Sequence, residues 1–412
     1  MQHGMNHNDM QKANRCLVIK LLLEHGSMTR TELSTKTGLQ KATITNIINE
    51  FFSMGIIAVD GDAASGRRSE YLHLKLGKIY ILSIGINRKD YRMCLYTMDG
   101  KSVNRLQSQI SLNEDIHEIL NRLEDDASKI LDKFGRSNII GISLGLPGPY
   151  IRQNVQQSRE ITLVSRFEQL STVNVHKELE NALGIRILSE HDAKLSAYAE
   201  WKNSEEVKKN QNFSLIAMGS RGFGIGAGIV INGHIVKGQL GIAGEIGHMG
   251  INYNESRSTE EPFGTYEYCA GTESTVRYIS ERLYEFPNSP LTKHSVYSDI
   301  LNAYKNSDAL ATYAMEKMAW MLGFGISNAI YILNPDCIIM GQDYPDWPPF
   351  LEKVKETVSQ LVHPYILESV SIRCSSLQED SALLGGYYST IEQLLTDNTL
   401  LDKIQQSAQG AF

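Results

Sequence analysis

Residues 139–146 read Ile-Ile-Gly-Ile-Ser-Leu-Gly-Leu and run straight into Pro147-Gly148-Pro149. An apolar run without a charge, ended by a sharp loop, predicts a buried strand. Comparable runs stand at 79–86, 91–96, 185–188, 213–218 and 337–341. Between them lie stretches of helical character at 113–134, from about Ala193, at 307–333 and from near Ser381. Strands alternating with helices indicate an α/β body. At the end of one such strand, ahead of a helix, come Glu190-His191-Asp192, where ligands usually bind in these sheets. A glycine cluster, 219–228, follows the strand at 213–218; it suits either a phosphate cradle or the close packing of two strands around a turn.

The first 78 residues have a different character. Leu17, Val18, Leu21 and Leu22 recur at helical spacing within 14–24. Thr29 and Glu32 form a capping-box pattern that opens a short helix through Lys36, and Gly38 breaks it. A third helix, 40–54, carries Ile44, Ile47, Ile48 and Phe51 on one face, leaving Gln40, Lys41, Thr43, Thr45 and Asn46 largely off it. Two strand-like runs, 55–59 and 71–74, flank a glycine-supported tip with Arg67 and Arg68. Supporting helix, helix, turn, helix and wing make a winged helix-turn-helix; the alternative is a small three-helix domain whose arginines are merely solvated. Charge favours the first. The head holds ten Lys/Arg against seven Asp/Glu, +3, in a chain of net charge −7, which leaves −10 for the rest. A basic head on an acidic body is expected where only the head meets a polyanion.

Length and composition set the remaining bounds. A chain of 412 residues holds two or three domains. It has no apolar run of about 18 residues and no apolar signal core near its N-terminus, which predicts a cytoplasmic protein with no membrane partner. Its five cysteines lack CxxC spacing, so neither a disulfide framework nor a zinc site follows from them.

Residues 241–273 place Glu245, His248 and Glu267 around a glycine-rich turn. Carboxylates and an imidazole on a rigid backbone suit a neutral polyol, whose hydroxyls they pair by donating or accepting hydrogen bonds. The same residues are also compatible with a solvated loop bearing scattered acids.

In order along the chain, the winged helix, residues 143–149 (SLGLPGP), 190–193 (EHDA), 224–238 (GIGAGIVINGHIVKG), 244–249 (GEIGHM) and 334–341 (NPDCIIMG) together resemble the ROK family of repressors, open reading frames and kinases. The likeness is to its branch of N-acetylglucosamine and xylose repressors and spans nearly the whole chain. It implies a fold of class α/β, with an N-terminal winged helix-turn-helix followed by a two-lobed actin-like ATPase body of the ROK sugar-kinase type. The implied domains are 1–78 for DNA binding, 79–193 for the first lobe, and 194–380 for the second lobe with the sugar site and oligomer contacts. Residues 381–412 are a C-terminal helix returning to the first lobe, and a tail. Asp192 matches the kinase base that takes the proton from the phosphorylated hydroxyl. Glu245, His248 and Glu267 match the sugar ligands, and His191 stands where most members carry Asn, which alters the hydroxyl pattern accepted.

Two departures from the family pattern argue against catalysis and against a metal. The kinase phosphate turn, DxGGT-like in the family, corresponds here to Gly85-Ile86-Asn87-Arg88-Lys89, and the late nucleotide turn reads Met340-Gly341-Gln342-Asp343. Phosphoryl transfer depends on positioning and charge neutralisation, so loss of these turns predicts no useful ATP turnover. The family's CxCGxxGCxE zinc pattern survives only as Gly264 and Glu267, with Thr265 replacing the last Cys and Cys269 beyond the motif. No structural zinc is therefore expected, although Glu260 or Glu261 offer oxygen ligands, and Phe263, Tyr266 and Tyr268 are the residues to shape the loop by packing. The resulting expectation is a non-enzymatic, sugar-responsive repressor. Its partners are operator DNA, a sugar or sugar-phosphate inducer, and its own copies as a homodimer or homotetramer. A sugar kinase with a regulatory head, and a regulator governed by a protein partner, are the alternatives.

Overall fold

The computed structural model describes residues 7–60, 70–111, 114–148, 150–155, 158–163, 170, 172–206, 210, 212–219, 224–252 and 264–409. The head is built from α1 (His7–His25), α2 (Arg30–Thr37), α3 (Lys41–Ser53) and the strands β1 (Ser27–Met28), β2 (Ile57–Asp60) and β3 (Tyr71–Leu74), with β3 central. The helix bounds follow from local chemistry. Thr29 Oγ1 accepts the Glu32 amide at 3.2 Å while Glu32 Oε2 accepts the Thr29 amide at 2.7 Å, closing the capping box. Gly38 ends α2 at φ 70, a conformation that costs glycine nothing. Helix α1 begins seven residues before the expected position 14, because the apolar period marks only the part that packs through Cys16, Val18, Ile19 and Leu22.

The first lobe contains β4 (Tyr80–Ile86), β5 (Asp90–Thr97), β6 (Ser102–Gln109), α4 (Ile116–Phe134), β7 (Ile139–Leu146), the hairpin β8 (Tyr150–Val155) and β9 (Ser158–Leu163), α5 (Val175–Leu183) and β10 (Ile187–His191). Its sheet order is β10-β7-β4-β5-β6, with β7 buried at every position. Helix α6 (Asp192–Asn203) follows directly. The second lobe contains β11 (Ser214–Gly219), β12 (Gly226–Ile231) and β13 (His234–Ile235), then α7 (Tyr266–Ala270), α8 (Thr272–Arg282), α9 (Tyr297–Lys305) and α10 (Ala309–Leu333). It continues with β14 (Cys337–Met340), α11 (Pro348–Leu361), α12 (Pro364–Leu367) and β15 (Ser371–Cys374), its sheet order being β13-β12-β11-β14-β15. Helices α13 (Ser381–Thr396) and α14 (Leu400–Gln409) close the chain.

Several bounds differ from expectation for identifiable reasons. Strand β10 continues past Leu188 to His191 because its end pairs in parallel with β7, His191 opposite Leu146, so α6 starts at Asp192. Helix α4 starts at Ile116, where the Asp115 side chain accepts the His117 amide at 2.8 Å; Asn113 lies outside the described residues. Strand β6 was not anticipated, since its alternation of half-buried and exposed residues carries few apolar side chains.

The lobes exchange helices. Helix α6 leaves the first sheet at β10 but packs on β11 and β12 of the second; α13 follows the second sheet and packs on β4 and β7 of the first. The two helices also pack against each other so closely that a Cβ on Gly385 would fall 1.8 Å from the Leu195 carbonyl oxygen. The head joins this arrangement through a continuous apolar core. Ile19, Leu22, Ile44 and Phe51 belong to one cluster with Leu384 and Tyr387 of α13 and Leu401 and Ile404 of α14.

Candidate functional site

Five of the residues singled out in the body share one cavity of about 140 Å³ between the lobes: His191, Asp192, Glu245, His248 and Glu267. His191 and Asp192 sit at the junction of β10 and α6, fixed by the strand pairing on one side and the helix start on the other. Glu245 precedes and His248 ends a single 3-10 turn, Ile246–His248. That turn is held to β12 by the amide of Ala227, which donates to the Gly244 carbonyl at 2.9 Å. Glu267 lies in the first turn of α7, where the Tyr266 amide donates to the Met249 carbonyl at 2.7 Å. Its carboxylate rests against Gly224, where a Cβ would come 2.8 Å from Glu267 Oε2 and push the side chain aside.

His191 is the centre of the cluster. Its Nε2 lies 3.3 Å from Asp192 Oδ1, its Nδ1 3.6 Å from Glu245 Oε1, and His248 Nε2 is 4.0 Å from Glu245 Oε2. The ring is 5 % exposed and fills the space beside Gly148, where a Cβ would come 2.3 Å from Nε2. Among the described residues the buried Nδ1 has no hydrogen-bond partner, a cost that a donor or acceptor placed in the cleft would relieve. Burial, with a smaller contribution from Asp192, holds the Glu245 carboxyl above the ordinary glutamate range, against the opposing pull of His191, His248 and Lys194. An acid raised in the folded state stabilises the fold below its unfolded pKa and loses that contribution as pH climbs through the folded value. Glu245→Gln is therefore expected to flatten this part of the stability profile and to melt at the same or a higher temperature near neutrality. A melting point that falls at neutral pH and recovers in acid would contradict this.

Some participants escaped the sequence reading. Ser196 and Glu200 also line the cleft, and with Asp192 they recur at i, i+4 and i+8 on one face of α6, a legible signal. Lys194 on the same helix is fully buried and donates from Nζ to the Gly241 carbonyl, while Lys237 Nζ pairs with the buried Glu190 Oε2 at 3.0 Å. Together they tie the 237–245 loop to the β10–α6 junction, across the two lobes. In the head, Gln40, Lys41, Thr45 and Asn46 are exposed on the first turns of α3, and Thr43 is half-buried. Arg67 and Arg68 lie outside the described residues, as do Glu260, Glu261 and Phe263. Tyr266 is fully buried, donating from its hydroxyl to the Leu322 carbonyl at 2.8 Å, and Arg277 stacks on Tyr268 at 3.6 Å from the ring centre.

Among the described residues no three His, Cys, Asp or Glu side chains gather as a metal site, and Cys269 is buried inside α7. No described helix is long and apolar enough to cross a membrane.

Two α/β lobes that exchange helices and close on a carboxylate-lined cleft define an actin-like sugar-kinase fold. The chain belongs to the ROK family, whose profile matches residues 81–392. It is 25 % identical over 407 residues to a protein named "Xylose repressor" from Caldicellulosiruptor bescii, covering 95 % of this chain and 98 % of that one. It is 26 % identical to a "Glucokinase" from Halalkalibacterium halodurans, covering 76 % of this chain and 96 % of the other. Among solved structures it superposes on a ROK family transcriptional regulator, described as a homolog of the E. coli MLC protein, with TM-score 0.77 and 22 % identity over 96 % of this chain and 99 % of that one.

Proposed function

We propose that this protein is a sugar-responsive transcriptional repressor of carbohydrate-utilisation genes. Its winged helix-turn-helix head binds an operator as a homodimer or homotetramer, and a sugar in the interlobe cleft releases it. The observation that carries this reading is the mounting of the head. Helix α3 buries Ile44, Ile47, Ile48 and Phe51 and turns Gln40, Lys41, Thr45 and Asn46 outward, while the same core runs into the helices that start at the cleft. Exposed amide and hydroxyl groups at the start of a helix are what reading base edges in a major groove requires, and the Lys41 ammonium suits a flanking phosphate. Thr43, Arg67 and Arg68 complete the proposed DNA contacts at the backbone and the adjacent minor groove. The repressor relative also spans the head, whereas the family profile begins at residue 81.

A kinase reading would rest on Asp192, the glycine cluster at 219–228 and the likeness to a glucokinase. In the turn that would grip nucleotide phosphates, Asn87 Oδ1 already accepts the amides of Lys89 at 2.7 Å and Asp90 at 3.0 Å. With these two amides taken and the acid and glycines of a phosphate turn absent, the turn is ill suited to cradle a phosphoryl group, and we read Asp192 as a hydroxyl acceptor and not as a base. The zinc-binding pattern being incomplete, we take the 241–273 segment to be shaped by packing without a metal.

Fluorescence anisotropy with DNA from upstream of the protein's own gene, titrated with common pentoses, hexoses and N-acetylhexosamines, tests the reading. Specific binding that one sugar weakens is expected. Lys41→Ala should weaken binding to all sequences alike and lessen its salt dependence, while Asn46→Ala should cost about 1 to 3 kcal/mol at the operator only. Absence of any specific site, or steady ADP release that Asp192→Asn abolishes, would overturn it.

A further inference from the structure

We propose that a second copy of this chain covers the outward face of α10, the two helices lying antiparallel about a twofold axis so that Trp320 of each copy seats beside Tyr331 of the other. The proposal rests on the homo-oligomeric part of the reading above and names its surface; it requires neither the sugar nor the operator.

Residues 318–335 include no Asp, Glu, Lys, Arg or His, and they make up most of the second half of α10 and its end. Yet one side of this stretch faces outward: Trp320 is 42 % exposed, Tyr331 56 % and Ile332 70 %, with Asn328 exposed and Phe324 half-buried between them. Helices α7, α8, α9 and α11 pack on the other sides of α10. A surface helix ordinarily turns charges toward water. One that carries none on its open side, and is not apolar enough to cross a membrane, is suited to burial against another protein surface.

Trp320, Phe324, Asn328 and Tyr331 recur at steps of four, four and three and so form one stripe. Trp320 meets Phe324 edge-on with ring centres 4.9 Å apart. At its far end the stripe opens into a groove of about 460 Å³ between the end of α10 and α12, lined by Tyr331, Asn334, Tyr365, Ile366 and Glu368. The Tyr331 hydroxyl donates to the Leu361 carbonyl at 3.4 Å, which joins α11 to the same face. Taking about 200 Å² for each large side chain, Trp320, Tyr331, Ile332, Leu361 and Tyr365 together expose roughly 600 Å², the upper end for a monomer and most of what one partner of a standard interface buries.

Charge and shape select the occupant. The body carries a net −10, so a like-charged copy is met at least cost where neither surface bears charge. A basic partner would gain little here, since the groove offers it Glu368 alone. The face is also complementary to itself. Trp320 projects at one end and the groove lies at the other, about 16 Å away along the helix at 1.5 Å per residue. An axis crossing α10 near Ile326 brings each Trp320 to the other copy's groove, an isologous contact with an aromatic anchor at both ends.

Sedimentation of the full-length protein across the micromolar range, with no sugar or DNA present, tests this. The parent is expected as a dimer or tetramer and Trp320→Glu at half the parent's mass, its self-affinity lowered at least about a hundredfold. Ile332→Lys, largely solvent-facing and beside Tyr331, should do the same, with far-UV circular dichroism of both variants matching the parent. Mixed together, the two variants should regain the parent's mass, because the antiparallel pairing sets the new carboxylate of one copy against the new ammonium of the other. A parent that is monomeric throughout, or single variants that keep its mass, would overturn the proposal. Variants that dissociate singly and stay apart when mixed would overturn the antiparallel pairing. Failure of the operator and sugar titrations would leave this result standing, and the converse holds as well.

Discussion

Gly244→Ala should weaken sugar binding about a hundredfold and cost the fold about 3 kcal/mol or more, the sum of a strained backbone and an overpacked contact. Gly244 has φ 95, and a Cβ there would lie 2.0 Å from the Ala227 carbonyl oxygen, a backbone atom that no rotamer change can move. The same residue organises the turn carrying Glu245 and His248: its carbonyl accepts the Ala227 amide at 2.9 Å and the Ile246 amide at 2.7 Å. To admit a methyl group the turn must lift off β12, carrying both proposed ligand side chains out of register with Asp192 and His191. A shift of that kind loses several hydrogen bonds to the ligand together, so the affinity should fall by about two orders of magnitude. Gly250→Ala is the control, because Gly250 has no neighbour within 4 Å of the built Cβ. Thermal melts and calorimetry on the pair separate the effects. Parent-like sugar affinity in Gly244→Ala would mean that this turn does not touch the sugar.

How far the sequence revealed this site depended on the range of the signal. Short-range chemistry was fully legible: the Thr29–Glu32 box, the Gly38 stop, the apolar face of α3 and the unbroken apolar character of β7 all depend on residues a few positions apart. Glu245, His248 and Glu267 stood out because they cluster within one segment, and the cavity holds them with His191 and Asp192. Lys194 did not stand out. Its burial depends on Gly241, 47 residues away, and nothing in a lone lysine within a helix announces such a partner. The closed turn at Asn87 shows the same limit from the other side. The sequence showed that the acid and glycines of a phosphate turn were missing, but only the fold shows Asn87 accepting the amides of Lys89 and Asp90. The exchange of α6 and α13 between sheets was likewise out of reach, being a matter of packing between elements nearly two hundred residues apart.

That exchange gives the last prediction its basis. Both helices start at the cleft, and their far ends meet at Glu392, whose carboxylate lies 3.1 Å from Lys20 Nζ of the head and 3.6 Å from Lys202 Nζ of α6. Burial alone would raise the Glu392 carboxyl, but Lys202 and Lys20 outweigh it and leave it below the ordinary range. A depressed acid contributes stability above its unfolded pKa and loses it as pH falls through the folded value, so this junction should weaken only below about pH 4.5. Lys20 and Glu392 are about one-third exposed and Lys202 about one-fifth, so each pair's direct contribution is small, on the order of 1 kcal/mol or less. Its position is what matters: a sugar alters DNA affinity only by the difference in free energy between two seatings of the head, and by linkage DNA must alter sugar affinity by the same factor. Glu392→Lys places three cations together and should loosen the polar contact between the head and the helix ends, leaving the apolar core between them in place. Both factors are then expected to collapse toward one, with sugar affinity and DNA affinity measured separately changing far less. Adding Lys20→Glu to that variant restores one opposite-charge pair and should recover part of the coupling. Full sugar-induced release in Glu392→Lys would place the transmission elsewhere in the fold, and loss of coupling with no recovery in the swap would trace it to packing of α13 and not to this charge cluster.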